Sequence, residues 1–373
     1  MKSKEIIEKL LEQADIKING NRPWDIKVLD ERFYNRVLSQ GALGLGESYM
    51  DGWWDSDALD ETIFRAIRAG GEELISKNVT TAIHVIKSKI LNLQTKIKSK
   101  DVTKEHYDIG DDLYMAMLDP YSQYTCAYFK DTNDLNVAQE KKMDLICRKI
   151  HLKPTDEVLD IGCGWGGFAL WMAEKYGCKV TGINLAEGQV RYAKNHIKNS
   201  NVEILNMDYR DIPRFQRKFD KVTSVGMMEH VGYKNHRKLM ENVKEVIKPS
   251  GLFLLHHCAV DKSMTTSNQW TTKYIFPGAI LPSMAQIAKS AEGLFVMEDW
   301  HNIGAHYDPT LMAWYKNFET AWPQLKDHYG ERFFRMFRYY LLTSAGGFRA
   351  RDLELWQTVF SPEGIVGGYQ SVR

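Results

Sequence analysis

The segment VLDIGCGWGG, Val158 to Gly167, concentrates the residue types that hold a nucleotide-like ligand. Gly162, Gly164 and Gly167 fit GxGxxG, a spacing that brings backbone close to a ligand and opens a helix. The spacing alone leaves a nicotinamide cofactor open. Two details point elsewhere. An acid, Asp160, ends the apolar run just before the first glycine, and glycines at 162, 164, 166 and 167 leave backbone room on both sides. A dinucleotide brings a pyrophosphate to the helix N-terminus, and an acid there would repel it. S-adenosylmethionine brings one carboxylate, with an ammonium and a sulfonium nearby, and Asp160 can hold that ammonium directly or through water. The loop therefore reads as the site of a sulfonium methyl donor.

The end of the next apolar run should supply the group for the ribose hydroxyls. It is Asn184 rather than an acid, and an amide both donates and accepts. Asp208, followed by Tyr209, is placed to accept from the adenine amine, although MDYRDI is also good turn chemistry. The loop says nothing of the methyl acceptor. Other reactive side chains are Cys126 in YTCAYF, Glu229 in MMEHVG, His256 in LLHH and Tyr307 in GAHYD. Read alone, Cys126 is a small buried hydrophobe and His256 a satisfied polar residue. Position distinguishes Glu229 and His256, because both follow predicted strands at the sheet edge where ligands bind. His230, His257, His301 and His306 have no metal-type spacing, and no metal is expected.

The elements that must position these residues alternate. The pattern predicts a helix over Val137 to Leu152 with Met143, Ile146, Cys147 and Ile150 on one face, then the strand EVLDIG. A helix ending at Gly177, the strand CKVTGINL, a helix from Gln189 to about Lys198, and the strands VEILNMD, KVTSVGM and GLFLLHH follow. Such alternation means an α/β, Rossmann-like domain: a mostly parallel sheet with helices on both faces. Ahead of it, residues 1–100 read as a small, mainly helical domain, with 101–373 as the catalytic domain. GALGLGESYMDGWWDSDALD, Gly41 to Asp60, reads as a packed connection, since no Lys-Ser/Thr follows its glycines. Val79, Ile83, Ile86, Ile90, Leu93 and Ile97 form one helical stripe, with six lysines and no acid from 77 to 100. That stripe either lies on anionic lipid or packs internally with a solvated Lys face.

A net charge of +1 over 373 residues gives no general attraction to nucleic acid. The five cysteines form no disulfide ladder or zinc knuckle. With no signal-like apolar run, the expectation is a cytoplasmic protein that touches a membrane without crossing it.

GALGLGESYMDGWW, YTCAYF, VLDIGCGWGG, KYIFPGAILPS, EDWHNIGAHYD and FRARDLELWQ together resemble the cyclopropane fatty acid synthases over essentially the whole chain. From residue 101 on, the chain is also similar to the mycolic acid cyclopropane synthases, which lack the N-terminal domain. The resemblance implies methylene transfer from S-adenosylmethionine to a cis double bond in an acyl chain of a phospholipid bilayer. It implies a bound bicarbonate as base, held by Cys126, Glu229, His256, Tyr307 and the main chain near Cys258. Tyr124 and Thr125 would close over the donor, with Gln189 opposite, and the protein would be a homodimer. The intact Glu229, His256 and Tyr307 set favours ring closure over quenching of the cation to a methyl-branched or hydroxylated chain. KYIFPGAILPS would wall the lipid entrance. Two departures stand out. Ser344 occupies a position where many family members carry Cys, and a Ser without a nearby base is a weak nucleophile. His257 and Cys258 replace a Thr and a β-branched residue, which alters the fine shape of the ion pocket.

Overall fold

The structure is a computed structural model that describes residues 2–70 and 110–373. The basic stripe 78–100 and the proposed domain boundary at residue 100 lie outside the described residues. The chain forms two compact units. The first gathers the described N-terminal residues with 265–277 and 307–353, and the second holds 110–264, 278–306 and 354–373.

The first unit is helical, with helices Lys2–Gln13, Arg32–Met50, Leu59–Arg68, Gln269–Tyr274, Tyr307–Tyr329 and Glu331–Ala350. GALGLGESYM is not the connection that its glycines suggested. It continues the helix Arg32–Met50, which kinks at Gly41. Gly46 is small for packing: a Cβ there would lie 2.3 Å from the Trp270 ring. Trp270 in turn packs on Tyr339, which meets Tyr49 and Trp54. Arg335 donates to the Tyr49 and Trp54 carbonyls and to Asp55.

The second unit is built on a seven-stranded sheet. In chain order its strands are β1 (Glu157–Ile161), β2 (Lys179–Asn184), β3 (Val202–Asn206), β4 (Phe219–Val225), β5 (Ile247–Ala259), β6 (Val296–Asn302) and β7 (Glu354–Ser361). Their spatial order is β3-β2-β1-β4-β5-β7-β6. The five predicted strands are parallel, as expected, and β6 and β7 join antiparallel at one side. β6 was not legible, because VMEDWHN is charged and only partly buried, whereas β7, ELWQTVFS, is apolar and buried and escapes only because it lies outside the strand–helix alternation. The strand order reverses at β1, which sets a ligand crevice at the carboxyl ends of β1 and β4.

Side chains alternate across the sheet. Val158, Leu252, Leu254 and Val359 join one apolar cluster with Met143, Ile146, Phe168 and Met172 from the helices Leu135–Lys149 and Gly167–Tyr176. Leu159, Ile161, Val222, Phe253 and Leu255 join the other with Leu239, Met240 and Val243 from His236–Val246. Each fully buried side chain of this size contributes about 1.5–3 kcal/mol. The helix Leu135–Lys149 starts where Asp134 accepts from the Val137 amide at 2.9 Å, a cap worth about 1 kcal/mol. The helix Gly167–Tyr176 ends at Gly177, as predicted, with φ of 73°.

Candidate active site

The donor loop leaves β1 at Ile161 and enters the helix at Gly167. Gly162 has φ of 81°, a conformation that side chains rarely adopt, and a Cβ there would lie 2.8 Å from the Met227 side chain. Asp160 is buried, and the hydroxyl of Thr223, its register neighbour in β4, donates to it at 2.8 Å. Burial pushes the Asp160 carboxyl up to about 6, against the pull of Thr223 and of Lys142.

Asn184 ends β2. Its amide nitrogen donates to the Gly164 carbonyl at 3.2 Å and to Gln189 Oε1 at 2.8 Å, so these three predicted donor residues meet. Asp208 follows β3 as the cap of the short helix Tyr209–Arg214, accepting from the Arg210 amide and guanidinium, both at 2.8 Å. Its turn role is thus visible, and Tyr209 beside it is buried. Tyr124 stacks edge-on to Tyr114, whose ring meets Trp165 of the donor loop at 5.1 Å. Trp165 Nε1 donates to Asp111, so the helix Asp111–Met117 is tied to that loop.

Beyond β4, Glu229 sits on the one-turn helix Met228–Val231. Its carbonyl accepts from the Ile280 amide in the AILPS stretch. Its Oε1 accepts from the Cys258 amide at 2.6 Å, while Oε2 is buried with no partner among the described residues. The Cys258 main chain, expected to face an anion, therefore donates to Glu229. Burial pushes the Glu229 carboxyl up to about 7, partly offset by backbone hydrogen bonds.

His256 does not follow its strand as predicted. It lies inside β5, opposite Val225 of β4 and Gln357 of β7, because the antiparallel β7 extends the ladder. The Gln357 side-chain amide meets His256 Nδ1 at 3.2 Å and so orients the ring and couples its tautomer to that amide. That Nε2 is buried with no partner among the described residues. Burial, reinforced by Lys142 and His257, holds His256 neutral, well below the ordinary histidine range. By alternation Asp160, Thr223, His256 and Gln357 share the face covered by the helix Leu135–Lys149.

Cys126 is fully buried, with Sγ 3.2 Å from the Ala127 carbonyl. Thr125 accepts at Oγ1 from Lys142 and at its carbonyl from Gln139. Lys142, Gln139 and Gln357 are buried polar residues that the sequence reading missed. In the first unit, Tyr307 opens the helix Tyr307–Tyr329, its ring packed on Trp314 and Phe348. Ser344 lies half-buried within Glu331–Ala350. Among the described residues no group of three or more His, Cys, Asp or Glu is arranged to hold a metal ion, and no helix is long and apolar enough to cross a membrane.

A sheet in this order, with a glycine loop after β1 and buried acids at the edge, matches known proteins. The family model for mycolic acid cyclopropane synthetase matches residues 94–358. The chain belongs to that family. A cyclopropane-fatty-acyl-phospholipid synthase of Escherichia coli (strain K12) is 49% identical over 368 residues, 99% of this chain and 95% of that relative. A sphingolipid C9-methyltransferase of Komagataella phaffii is 31% identical over 93% of this chain and 73% of its own length. Among solved structures, a mycolic acid cyclopropane synthase complexed with SAH and CTAB superposes with a TM-score of 0.65. It is 26% identical, over 70% of this chain and 98% of that one. The fold is that of the S-adenosylmethionine-dependent methyltransferases, preceded here by N-terminal helices.

Proposed function

We propose that this enzyme transfers a methylene group from S-adenosylmethionine to the cis double bond of an unsaturated phospholipid acyl chain, closing a cyclopropane ring. The observation that carries the reading is the pairing of a donor cradle with buried Glu229 and His256, each with one unpartnered atom, at the same end of β4 and β5. Near full-length identity to a cyclopropane-fatty-acyl-phospholipid synthase supports the acceptor.

An alkene is a poor nucleophile, so Asp160, Asn184 and Gln189 must hold the sulfonium in line with the π bond. Such positioning contributes roughly 7–11 kcal/mol when the geometry is near attack. Transfer leaves a cation on the chain, which an apolar, dry site protects from water. Bicarbonate, when bound, supplies the base that takes a proton from the new methyl group. Glu229 Oε2 is suited to accept from an O–H, and His256 Nε2 to donate to an oxyanion. Tyr307 and Cys126 are carried as further holders on family resemblance, as are Tyr124 and Thr125 over the donor, with Tyr209 beside the adenine.

The reading includes action at a bilayer surface from the cytoplasmic side, as a homodimer, with AILPS beside Glu229 as part of the lipid entrance. A second reading, simple methyl transfer to a lipid chain, is favoured by the identity to a sphingolipid C9-methyltransferase. Incubation with donor and vesicles of unsaturated phospholipid tests both. A gain of one CH2 in the acyl chains supports lipid alkylation. Methylation of protein or nucleic acid with none in lipid would refute it.

A further inference from the structure

The helix Leu135–Lys149 presses an apolar face onto the sheet, yet buries three polar side chains fully, Gln139, Lys142 and Lys149. Lys149 has a carboxylate partner, Asp299 at 3.7 Å, and Lys142 does not. Gln139 Nε2 donates to the carbonyls of Gln123 and Thr125. Lys142 Nζ donates to Gln123 Oε1 at 2.6 Å and Thr125 Oγ1 at 3.0 Å, both neutral oxygens. Among the described residues no carboxylate lies within salt-bridge distance of this ammonium, and its third N–H has no acceptor. A buried charge without a counter-charge is strongly unfavourable. Two neutral oxygens do not require one, since a glutamine could serve them.

The surroundings indicate what the charge faces. Burial pulls the Lys142 ammonium down to about 8, opposed by Asp119, Cys126 and Asp160. The charge acts in turn on Asp160 and His256. It therefore stands among residues read as holding donor and anion, under the helix that covers Asp160 and His256. The five residues read as holding the anion include no permanent cation, and one of them is the acid Glu229.

We propose that Lys142 is the counter-charge for a small carboxylate-type anion bound beneath this helix, and that it offsets the repulsion between that anion and Glu229. The inference rests on the reading that bicarbonate acts in this site. The amino-acid carboxylate of the donor is the other source of the same chemistry.

The test uses the full chain and two neutral variants, Lys142→Gln and Lys142→Met. Sodium bicarbonate is titrated against the melting temperature, and S-adenosylmethionine is titrated by calorimetry. Loss of a charge-assisted contact should weaken binding roughly tenfold or more. A tenfold rise in bicarbonate half-saturation, with donor affinity kept within twofold, supports the proposal with bicarbonate as the anion. A tenfold loss of donor affinity supports it with the donor carboxylate. If bicarbonate has no effect on wild type, the reading of the base fails, while the donor arm still tests Lys142. Both constants within twofold of wild type in a folded variant would overturn the proposal. If neither variant folds, wild type decides: formate should compete with bicarbonate or with the donor, and competition with neither would overturn it.

Discussion

Around Asn184 the polar side chains engage one another, whereas Glu229 and His256 are each held by one atom and leave a second buried atom unpartnered. In the donor cradle both acids are engaged, Asp160 by Thr223 and Asp208 by Arg210, and the Tyr209 hydroxyl is the donor-side atom left without a partner among the described residues. The cluster past β4 and β5 is oriented by the Cys258 amide and Gln357 and keeps its reactive atoms unsatisfied. An unsatisfied buried polar atom costs about 1–3 kcal/mol, a strain that stability alone would remove. The donor side should therefore lose affinity by degrees when altered, and the cluster should lose turnover while the fold gains stability.

The largest effect is expected from Glu229→Gln, which keeps the Cys258 contact and removes the acceptor charge. Turnover should fall about 100-fold or more, as for loss of an acid–base partner, with donor affinity within twofold. Steady-state kinetics beside calorimetry reads both, and an equal loss of donor affinity would merge the two regions into one. Next, Asp160→Asn should weaken donor binding about 10–100-fold through loss of a charge-assisted bond. In wild type, donor affinity should fall as pH drops through about 6, where Asp160 takes up a proton, and the variant should lose that dependence. Gln357→Met frees His256 to change tautomer and should cost about tenfold in turnover, the equivalent of one hydrogen bond, leaving donor affinity unchanged.

The smallest effect is on stability. The folded Glu229 carboxyl, raised to about 7 from its ordinary 4.5, gives up stability as pH rises through about 7. Below about 4.5 it is protonated in both folded and unfolded chains and contributes no such loss. Glu229→Gln should then raise the Tm above pH 7, by roughly 2–4 °C for each kcal/mol released, and by much less at pH 5. A melting temperature lowered at pH 8 would mean that the ionised acid is stabilised by something in the fold.

The same contrast governs how much could be read from the chain. The glycine loop, Asp160 and Asn184 are local in sequence, and the five parallel strands advertise themselves through apolar runs before turns. Glu229 and His256 could be ranked only by position and by family resemblance. Their supports come from far away: Gln357 reaches His256 across an antiparallel strand pair 101 residues on. Lys142 lies on the covered face of a helix where lysine ordinarily marks solvent. GALGLGESYM is helical because Gly46 serves close packing against Trp270 and Gly44 lies against the Arg36 backbone, while Gly41 only kinks the helix, and glycine spacing alone does not separate these roles from a turn.

The central claim is ring closure at a lipid double bond, and a donor with a fully deuterated methyl group tests it most directly. With wild-type protein and unsaturated phospholipid vesicles, mass spectrometry of the acyl chains should show a CD2 unit in place of the double bond, one deuterium having left as a deuteron taken by the base. Chains that retain an intact CD3 group would contradict it and leave simple methyl transfer in its place.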